Sequence, residues 1–568
     1  MKFPLPAAIG GLLLAAVFLS SARAAELPKG ATPVLGALRT ELDRSFAAFK
    51  TQPTPAYFLS YEVTENHSFE MGATNGALLK SSENQTRQLD IDLRVGDPKL
   101  DNTHVLRGSP DAAASESPPA LPLEDEPDAI RAMVWYQTDQ HYKAAVEQLT
   151  KVKANVEGMV AEEDKAPDFA SAPPVVFVQA PAALKLDRAA WEQKLRRYSA
   201  PFASHTEILG AGAGLKVETQ TRWYVNTEGT LLQTTQTTAR LQITGVTRAD
   251  DGMVLPRYET FFAFTPDQLP DDAEVLAAVE HIITDLGALR AAPLIEPYAG
   301  PAILSGRAAG VFFHEVFGHR IEGHRQKRVE ESQTFKKMLG RRLLPEAFTV
   351  YCDPTLARFG TTPLGGYYLY DDEGVKAGRV PLIEGGVFKG FLMSRSPIDG
   401  FPASNGHGRK AVGQTVVARQ SNLIVEAAKV VTRDELKQQL LKMIAEQKKP
   451  YGLLFADIVG GYAITNRTLP NAFNVNPVMV YRIYPDGREE LVRGADFIGT
   501  PLAAFSRIVA ADDTPGVFNG VCGAESGWLP VSAVSPGLLL SQVEVQKKRT
   551  AQERLPLLPP PSETPVSN

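Results

Sequence analysis

The sequence predicts an α+β fold, with helix and sheet regions in the amino-terminal half followed by a largely antiparallel β domain. Three observations predict it: stretches that alternate apolar and polar residues over strand lengths, amphipathic helical segments between them, and a carboxyl-terminal half rich in short β segments and glycine turns. At 568 residues the chain is too long for one compact core, so we expect two or three domains.

The first 24 residues have the features of an export signal. Lys2 supplies a positive charge, residues 7–19 form an apolar run, and residues 22–24 (Ala-Arg-Ala) form the small-x-small pattern of a signal-peptidase site. The apolar run is short for a bilayer span, which favours cleavage over a membrane anchor. We therefore expect removal of residues 1–24 near Ala24, an exported protein that is periplasmic where the source has a periplasm, and no stable membrane insertion.

Residues 25–108 are predicted to form an amino-terminal α/β region. A helix is expected within residues 25–52, and two alternating strands follow at residues 57–63 and 88–95, separated by a glycine-containing turn. The apolar residues that recur at helical spacing in the first segment are Leu35, Leu38, Leu42, Phe46 and Phe49.

The rest of the chain divides by composition. Residues 109–128 are rich in Pro, Ala and Glu and are predicted to be a linker, and residues 548–568 a disordered tail. Between them we expect a middle helix-plus-strand region, 129–292, and a carboxyl-terminal domain, 293–547. Helices in the middle region are predicted at 129–164, 188–198 and 270–291, with long antiparallel strands across 207–264.

The net charge of −6 gives no basic surface of the kind that nucleic-acid-binding proteins carry. No nucleic-acid partner is expected.

Residues 314–324, with the sequence HEVFGHRIEGH, combine two histidines and a carboxylate. Neutral imidazole is a common metal ligand, and a carboxylate beside the first ligand can act as a general base on water. The segment therefore has both parts of a hydrolytic metal site.

The spacing of this motif is unusual, because His314 and His319 are five residues apart rather than four. In an unbroken α-helix they would point roughly 140° apart. Both could bind one metal only if the helix contains a π-bulge or a kink, and Gly318 is placed to permit one. A buried helix whose histidines merely satisfy polar neighbours is the alternative.

Several blocks of the sequence resemble the TldD/PmbA metallopeptidase family, on the TldD side that carries the motif. They are residues 296–326 (EPYAGPAILSGRAAGVFFHEVFGHRIEGHRQ), 370–374 (YDDEG), 383–386 (IEGG), 389–391 (KGF), the Arg-x-x-Asn element Arg419 to Asn422, and the Cys-Gly block within 516–547. The resemblance covers about the last half of the chain. The recognisable family members lack an export segment.

This resemblance implies a peptidase whose metal ligands are His314, His319 and Cys522, with Glu315 as the base that activates water. Two imidazoles and one thiolate leave a fourth position open, as a catalytic zinc (Zn²⁺) site requires. The resemblance also implies a peptide substrate that adds as an extended strand near residues 452–467, although a plain hairpin turn is an equal interpretation there. It further implies a homo-oligomer or a hetero-oligomer with a related subunit.

Four questions remain open at this level. His324 is expected to be a surface residue rather than a partner of a metal ligand, and Glu322 either orients an imidazole or is a partly solvated carboxylate. Cys522 is expected to be a free thiolate and Cys352 a small buried residue, although export would also suit a Cys352–Cys522 disulfide. The alternative functions are a non-catalytic assembly partner and a peptide- or carbohydrate-binding protein with that disulfide.

Overall fold

A computed structural model describes residues 27–106, 117–158, 164–328, 330–466 and 473–548. These residues do not include the predicted export signal or, apart from Lys548, the predicted tail. They also leave out residues 109–116 of the predicted linker. Within the described residues, no helix is both long enough and apolar enough to cross a membrane. The helices of the described part are α1 (Pro33–Phe49), α2 (Pro127–Gly158), α3 (Arg188–Ser199), α4 (Asp272–Ala291), α5 (Gly306–Val316), α6 (Arg433–Glu446) and α7 (Pro501–Phe505).

The amino-terminal half forms one twisted sheet in the order β3-β2-β1-β5-β6-β4, with β7 also paired to β6. The pairing is antiparallel except between β4 and β6. Its strands are β1 (Ala56–Thr74), β2 (Ala77–Asp97), β3 (Leu100–Asp101), β4 (Val176–Val178), β5 (Ile208–Asn226), β6 (Leu231–Arg248) and β7 (Val254–Ala263). The regions 25–108 and 129–292, which the sequence separates, therefore share a sheet.

The β1–β2 hairpin shows how local sequence specifies this sheet. Its two-residue turn is Asn75-Gly76, and both residues have positive φ, at 47° and 80°. Asn-Gly is the pair that a twisted two-residue hairpin turn favours, because both positions must adopt the left-handed region. The predicted glycine-containing turn is confirmed.

The helices predicted in this half are confirmed over their described residues. α2 ends at Gly158, and residues 159–163 of the predicted helix 129–164 lie outside the described part of the chain. On α1, Leu35, Leu38 and Leu42 are buried, and the helix packs with α2 against one part of the sheet. α3 and α4 cover another part, where an apolar cluster includes Leu195 and Val279. The amphipathic spacing thus indicated which helical faces are buried.

The carboxyl-terminal half contains a mostly antiparallel six-stranded sheet in the order β13-β12-β9-β16-β23-β22. Only β16 and β23 pair in parallel. Its strands are β9 (Phe348–Cys352), β12 (Val380–Glu384), β13 (Val387–Phe388), β16 (Asn422–Ala427), β22 (Gly516–Ala524) and β23 (Gly527–Ser535). Two short pairs accompany it, β10 (Arg358–Phe359) with β11 (Thr362–Pro363) and β14 (Gly408–Arg409) with β15 (Val417–Ala418).

A second sheet in this half closes on itself. Its order is β17-β8-β24-β20-β18, and because β18 also pairs with β17, these five strands form a barrel. The strands of the sheet are β8 (Tyr298–Leu304), β17 (Gly452–Ala463), β18 (Phe473–Ile483), β19 (Glu489–Val492), β20 (Ala495–Gly499), β21 (Ile508–Ala511) and β24 (Leu538–Lys547). Phe312 of α5 stacks on Phe497 and meets Phe473 edge-on, so the helix that carries the motif is anchored in an aromatic core.

Buried ion pairs join the two halves. Lys410 Nζ lies 2.6 Å from an Asp90 carboxylate oxygen and 3.3 Å from one of Glu62, and all three side chains are largely buried. Arg222 pairs with Asp372 across the same boundary. Removing one partner of such a pair leaves a buried charge uncompensated, which costs about 3–5 kcal/mol. These contacts hold the first sheet against the carboxyl-terminal half.

Candidate metal centre

Helix α5 positions His314 and Glu315 in its last turn. Ser305 caps the helix, because its Oγ accepts a hydrogen bond from Ala308 N at 3.3 Å. Every residue of the helix except Arg307 is buried. Such burial requires close approach: a Cβ added at Gly306 would lie 2.3 Å from Gly516 N. The helix is therefore set tightly between the sheet strands, with its last turn held in the interior.

The helix ends between the two histidines. It stops at Val316, and residues Gly318–Arg320 form a 3₁₀ turn that brings His319 back toward His314. The rings of the two histidines have centroids 4.9 Å apart. The expected break in the helix is thus a termination with a tighter turn, and no π-helical segment is present in α5.

Cys522 meets the histidines from β22, at the edge of the six-stranded sheet. The ligand atoms of His314, His319 and Cys522 all lie within 4.8 Å of one another, and Cys522 Sγ is 3.2 Å from His319 Nε2. All three residues are buried, with exposures of 3%, 7% and 9%. The structure therefore brings together the three residues singled out as ligands.

The donor set fits a transition metal such as zinc. It offers two imidazole nitrogens and one thiolate sulfur, a combination that zinc accepts and that magnesium and calcium do not favour. His314 Nδ1 is buried and has no hydrogen-bond partner among the described residues, although buried polar atoms are rarely left unpaired. Either ring nitrogen of His314 could be the ligand atom of that residue.

The side chains of this centre strongly affect one another's protonation. Burial opposes the charge on the Cys522 thiol, but His319 and His314 outweigh it and hold the pKa of the thiol well below its usual range. Burial also opposes the charge on His319, whereas Cys522 and Glu322 raise its pKa well above the usual value. The sulfur is thus held as a thiolate, the form that binds metal.

Glu315 lies beside this set. Its Oε2 is 4.0 Å from His319 Nε2, and its side chain is buried. Burial raises the pKa of Glu315, while His314 and His319 act against that shift. A carboxylate with a raised pKa is a stronger proton acceptor than a solvated one, which suits a general base.

Glu322 orients the His319 imidazole and is not a partly solvated carboxylate, the other interpretation of this residue. It is fully buried, and its Oε2 accepts a hydrogen bond from His319 Nδ1 at 3.3 Å and another from Arg325 Nε at 2.9 Å. Burial would raise the pKa of Glu322, but His319 and Arg325 lower it to about 2. Because a carboxylate can only accept, Nδ1 of His319 carries a proton, and Nε2, once it gives up its own proton, is the nitrogen that could bind a metal.

The surface interpretation of His324 is wrong. The residue is 7% exposed, and its Nε2 pairs with Glu525, which also accepts a hydrogen bond of 2.8 Å from Arg325. A chain of contacts therefore runs from His324 through Glu525 and Arg325 to Glu322 and His319. Sequence reasoning missed Arg325 and Glu525. Their closeness to the motif and to Cys522 in the sequence was the only available signal.

Cys352 and Cys522 are both free and buried. Cys352 Sγ lies 3.1 Å from Ser421 Oγ and accepts from Ser421 N at 3.3 Å. Burial raises the pKa of the Cys352 thiol to about 11, so it stays protonated and unreactive at neutral pH. The expected buried role of Cys352 agrees with this environment.

The glycine-rich block at 452–467 is mostly strand β17 rather than a turn. A Cβ added at Gly461 would lie 3.0 Å from Glu315 Cγ, so the strand runs directly past the candidate base. β17 pairs with β8 only from Leu453 to Phe455. Beyond Phe455, this edge of β17 has no strand partner in the described chain.

A cavity of about 830 Å³ lies near the centre, between the first sheet, α2 and the segment after the motif. Its wall includes Asp92 and Arg94 of β2, Glu147 of α2, and His324. Its described lining includes none of the three candidate ligands. His324 is thus the residue that belongs both to the cavity wall and, through Glu525, to the chain of contacts around the centre.

Comparison with known proteins identifies the carboxyl-terminal half. Residues 298–547 match the family described as PmbA/TldA metallopeptidase C-terminal domain. The match covers 250 of the 568 residues, so the likeness to this metallopeptidase family is that of the carboxyl-terminal half. The resemblance seen in the sequence motifs is confirmed at this level.

Curated relatives of this domain are named metalloproteases. One from Archaeoglobus fulgidus is 27% identical over 238 residues, which are 42% of this chain and 51% of that protein. One from Methanocaldococcus jannaschii is 29% identical over 231 residues, 40% and 47% of the two chains. A zinc metalloprotease TldD homolog from Saccharolobus solfataricus is 24% identical over 253 residues, 44% and 52%. The chain spans about half the length of these relatives.

Solved structures extend the likeness to the whole fold. TldE from Thermococcus kodakarensis has a TM-score of 0.57 at 15% identity, covering 90% of this chain and 100% of that one. A Thermotoga maritima protein, named as a candidate modulator of a DNA gyrase, has a TM-score of 0.57 at 16% identity, covering 89% and 99%. At these identities the likeness shows the fold alone, and it confirms the predicted α+β class with substantial sheet content.

Proposed function

We propose that this chain is a zinc-dependent peptidase of the TldD type that hydrolyses unfolded or linear peptides. The proposal rests on how close these side chains lie. The ligand atoms of His314, His319 and Cys522 are within 4.8 Å of one another, and Glu315 Oε2 is 4.0 Å from His319 Nε2. Three donors beside one buried carboxylate are what a hydrolytic metal site requires.

Zinc bound to this set would supply Lewis acidity toward a peptide carbonyl and toward water. Glu315 takes a proton from the attacking water, favoured by the burial that raises its pKa. The same carboxyl group then gives the proton to the leaving amine nitrogen. His319 keeps its ring orientation throughout, because Glu322 holds its Nδ1 proton. No covalent enzyme–substrate bond is needed.

The edge of β17 favours an extended substrate. Its backbone runs past Glu315 at Gly461, and beyond Phe455 this side pairs with no other strand among the described residues. Ala456 O and Val459 O accept only side-chain hydrogen bonds, from Ser305 and Tyr258. A peptide that adds to this edge gains affinity from main-chain hydrogen bonds, which depend little on side chains. Such binding requires a segment free of its own secondary structure, so unfolded or linear peptides are the proposed substrate class.

The proposal also covers the setting of the enzyme. We infer an exported, periplasmic-type protein from the features of residues 1–24, and an assembly of two like or related subunits from the resemblance to the TldD/PmbA family. Intact-mass analysis of the cell-derived protein checks the first inference. A mature chain that retains residues 1–24 in the cytosolic fraction would contradict it.

Metal content and metal-dependent cleavage test the central proposal together. We expect about one zinc per chain after purification without added metal, and cleavage of an unstructured peptide that chelation abolishes and zinc restores. The same sequence held in a folded protein is the matched substrate and should resist cleavage. Cleavage that continues after complete removal of metal, or a chain that binds no zinc, would contradict the proposal.

A further inference from the structure

Arg419 joins two parts of the candidate metal centre. It lies in the short connection between β15 and β16 and is 1% exposed. Its Nη2 donates to Cys522 O at 3.0 Å and lies 3.4 Å from Cys522 Sγ, and its Nε lies 3.4 Å from Glu322 Oε1. One guanidinium therefore touches both the sulfur ligand and the carboxylate that holds His319.

The remaining contacts of Arg419 fix the hairpin that carries Cys522. Its Nη1 donates to Ser526 Oγ at 2.8 Å and to Gly527 O at 3.2 Å, in the turn between β22 and β23. Together with Cys522 O and Sγ, these acceptors give each terminal nitrogen of the guanidinium two partners, whereas Nε is held to Glu322 as an ion pair. An arginine offers its N–H donors in a fixed plane, so these partners fix the orientation of the whole guanidinium.

We propose that Arg419 is a positioning residue for the metal, and that it sets the place of Cys522 Sγ relative to His319 Nε2. The Arg419 guanidinium binds the β22–β23 turn, and its positive charge lies beside Cys522 Sγ. Its contact with Glu322, which accepts from His319 Nδ1, links the sulfur ligand to the His319 imidazole. The three ligands are thereby brought together before a metal binds. This inference rests on the proposed function only in taking the centre to bind zinc.

Arg325 shows why the role belongs to Arg419. Arg325 also holds Glu322, through a 2.9 Å hydrogen bond, but its other contacts are with Glu331, Thr465 and Glu525. Neither Cys522 nor its carbonyl is among its partners in the described chain. Arg419 thus links the sulfur ligand to the histidine ligand, whereas Arg325 supports the histidine side.

Zinc titrations of the full chain test the proposal, with Arg419→Lys and Arg419→Gln as the variants. Lysine keeps the charge but has three donors on a flexible stem, so it cannot reproduce the fork. We expect zinc affinity, measured by competition with a chromogenic chelator, to fall by at least about tenfold in both variants. The cobalt-substituted protein should also lose or shift its sulfur-to-cobalt charge-transfer absorption, a signal that a merely structural change away from Cys522 would not move.

Arg395→Lys is the matched control, because Arg395 is equally buried but contacts Glu228 and Ala170 O rather than a candidate ligand. It should keep the parent's zinc affinity and cobalt spectrum. Ser526→Ala removes one partner of Arg419 with little change in volume, and a severalfold loss of zinc affinity is expected there even if the arginine variants fold poorly.

The proposal is overturned if both Arg419 variants keep the parent's zinc affinity and cobalt absorption. If the arginine variants do not fold, the same result in Ser526→Ala overturns it. An equal loss in Arg395→Lys would also overturn it, since that would indicate general loosening of the fold. A parent protein that binds zinc without cleaving peptides contradicts the peptidase activity instead, and the same titrations still decide the role of Arg419.

Discussion

The Gln420 side chain occupies the space that a side chain at Gly318 would need: a Cβ added at Gly318 would lie 1.8 Å from Gln420 Oε1. Gly318 does not adopt a positive φ, so its backbone conformation is not what requires glycine. The requirement is room for the Gln420 amide, whose Nε2 lies 3.4 Å from His314 O. The turn between the two histidines can close only because position 318 has no side chain.

Gly318→Ala is therefore expected to weaken zinc binding by about tenfold or more, since the whole Gln420 amide or the 3₁₀ turn must move. Chelator competition measures the affinity and thermal unfolding the accompanying loss of stability. Gly287→Ala in α4, where an added Cβ meets nothing within 4 Å, is the control and should leave zinc binding unchanged. A Gly318→Ala protein with parent-like zinc affinity would show that the close packing is not needed.

Glu315→Gln should retain zinc while lowering peptide turnover by at least about a hundredfold, because the amide cannot accept the proton of water. Zinc content and steady-state cleavage at matched zinc concentration provide the measurements. Glu384→Gln alters a solvent-exposed glutamate that pairs with Lys389, and it should cleave like the parent. Parent-like turnover in Glu315→Gln would remove Glu315 from the role of base.

Cys522→Ser is expected to lose zinc and activity, whereas Cys352→Ser should keep both, because only Cys522 lies beside the histidines. Alkylation supplies an independent measurement: Cys522 should react slowly in the zinc form and rapidly after chelation. A chain two hydrogens lighter than the reduced mass, with a Cys352–Cys522 peptide pair after digestion, would contradict this expectation.

His407 should make the protein less stable as the pH falls. It is fully buried, and burial, with a smaller contribution from Arg409, lowers its pKa from 6.5 to about 3. Between these values the unfolded chain binds a proton that the folded chain does not, so the free energy of unfolding decreases by up to about 1.4 kcal/mol per pH unit on acidification. Urea unfolding of the metal-free protein between pH 7 and pH 4 measures this slope. His407→Gln should have a shallower slope, and identical slopes for the two proteins would contradict the assignment.

Local patterns predicted the main helices and the long strands of the amino-terminal half. The ends of α3 and α4 agree with the predicted helices within two residues, because amphipathic spacing is a local signal. The pairing of β1 with β5 could not be predicted in this way. It joins strands about 150 residues apart and places two regions that the sequence separates in one sheet. Such register depends on which faces are buried together, and spacing within one strand does not contain that information.

By itself, the sequence determined the candidate chemistry: His314, Glu315 and His319 stand in one motif, and Cys522 was found through a family resemblance. Only the tertiary structure decided how His319 returns to His314, and that His324 is buried against Glu525. It alone placed Arg419 between Cys522 and Glu322. The physical reason is that a charged or polar residue looks the same in the sequence whether it is exposed to water or buried against a partner distant in the chain. The choice between these two states depends on contacts made across about a hundred or more residues, when the sheets and the motif helix pack together.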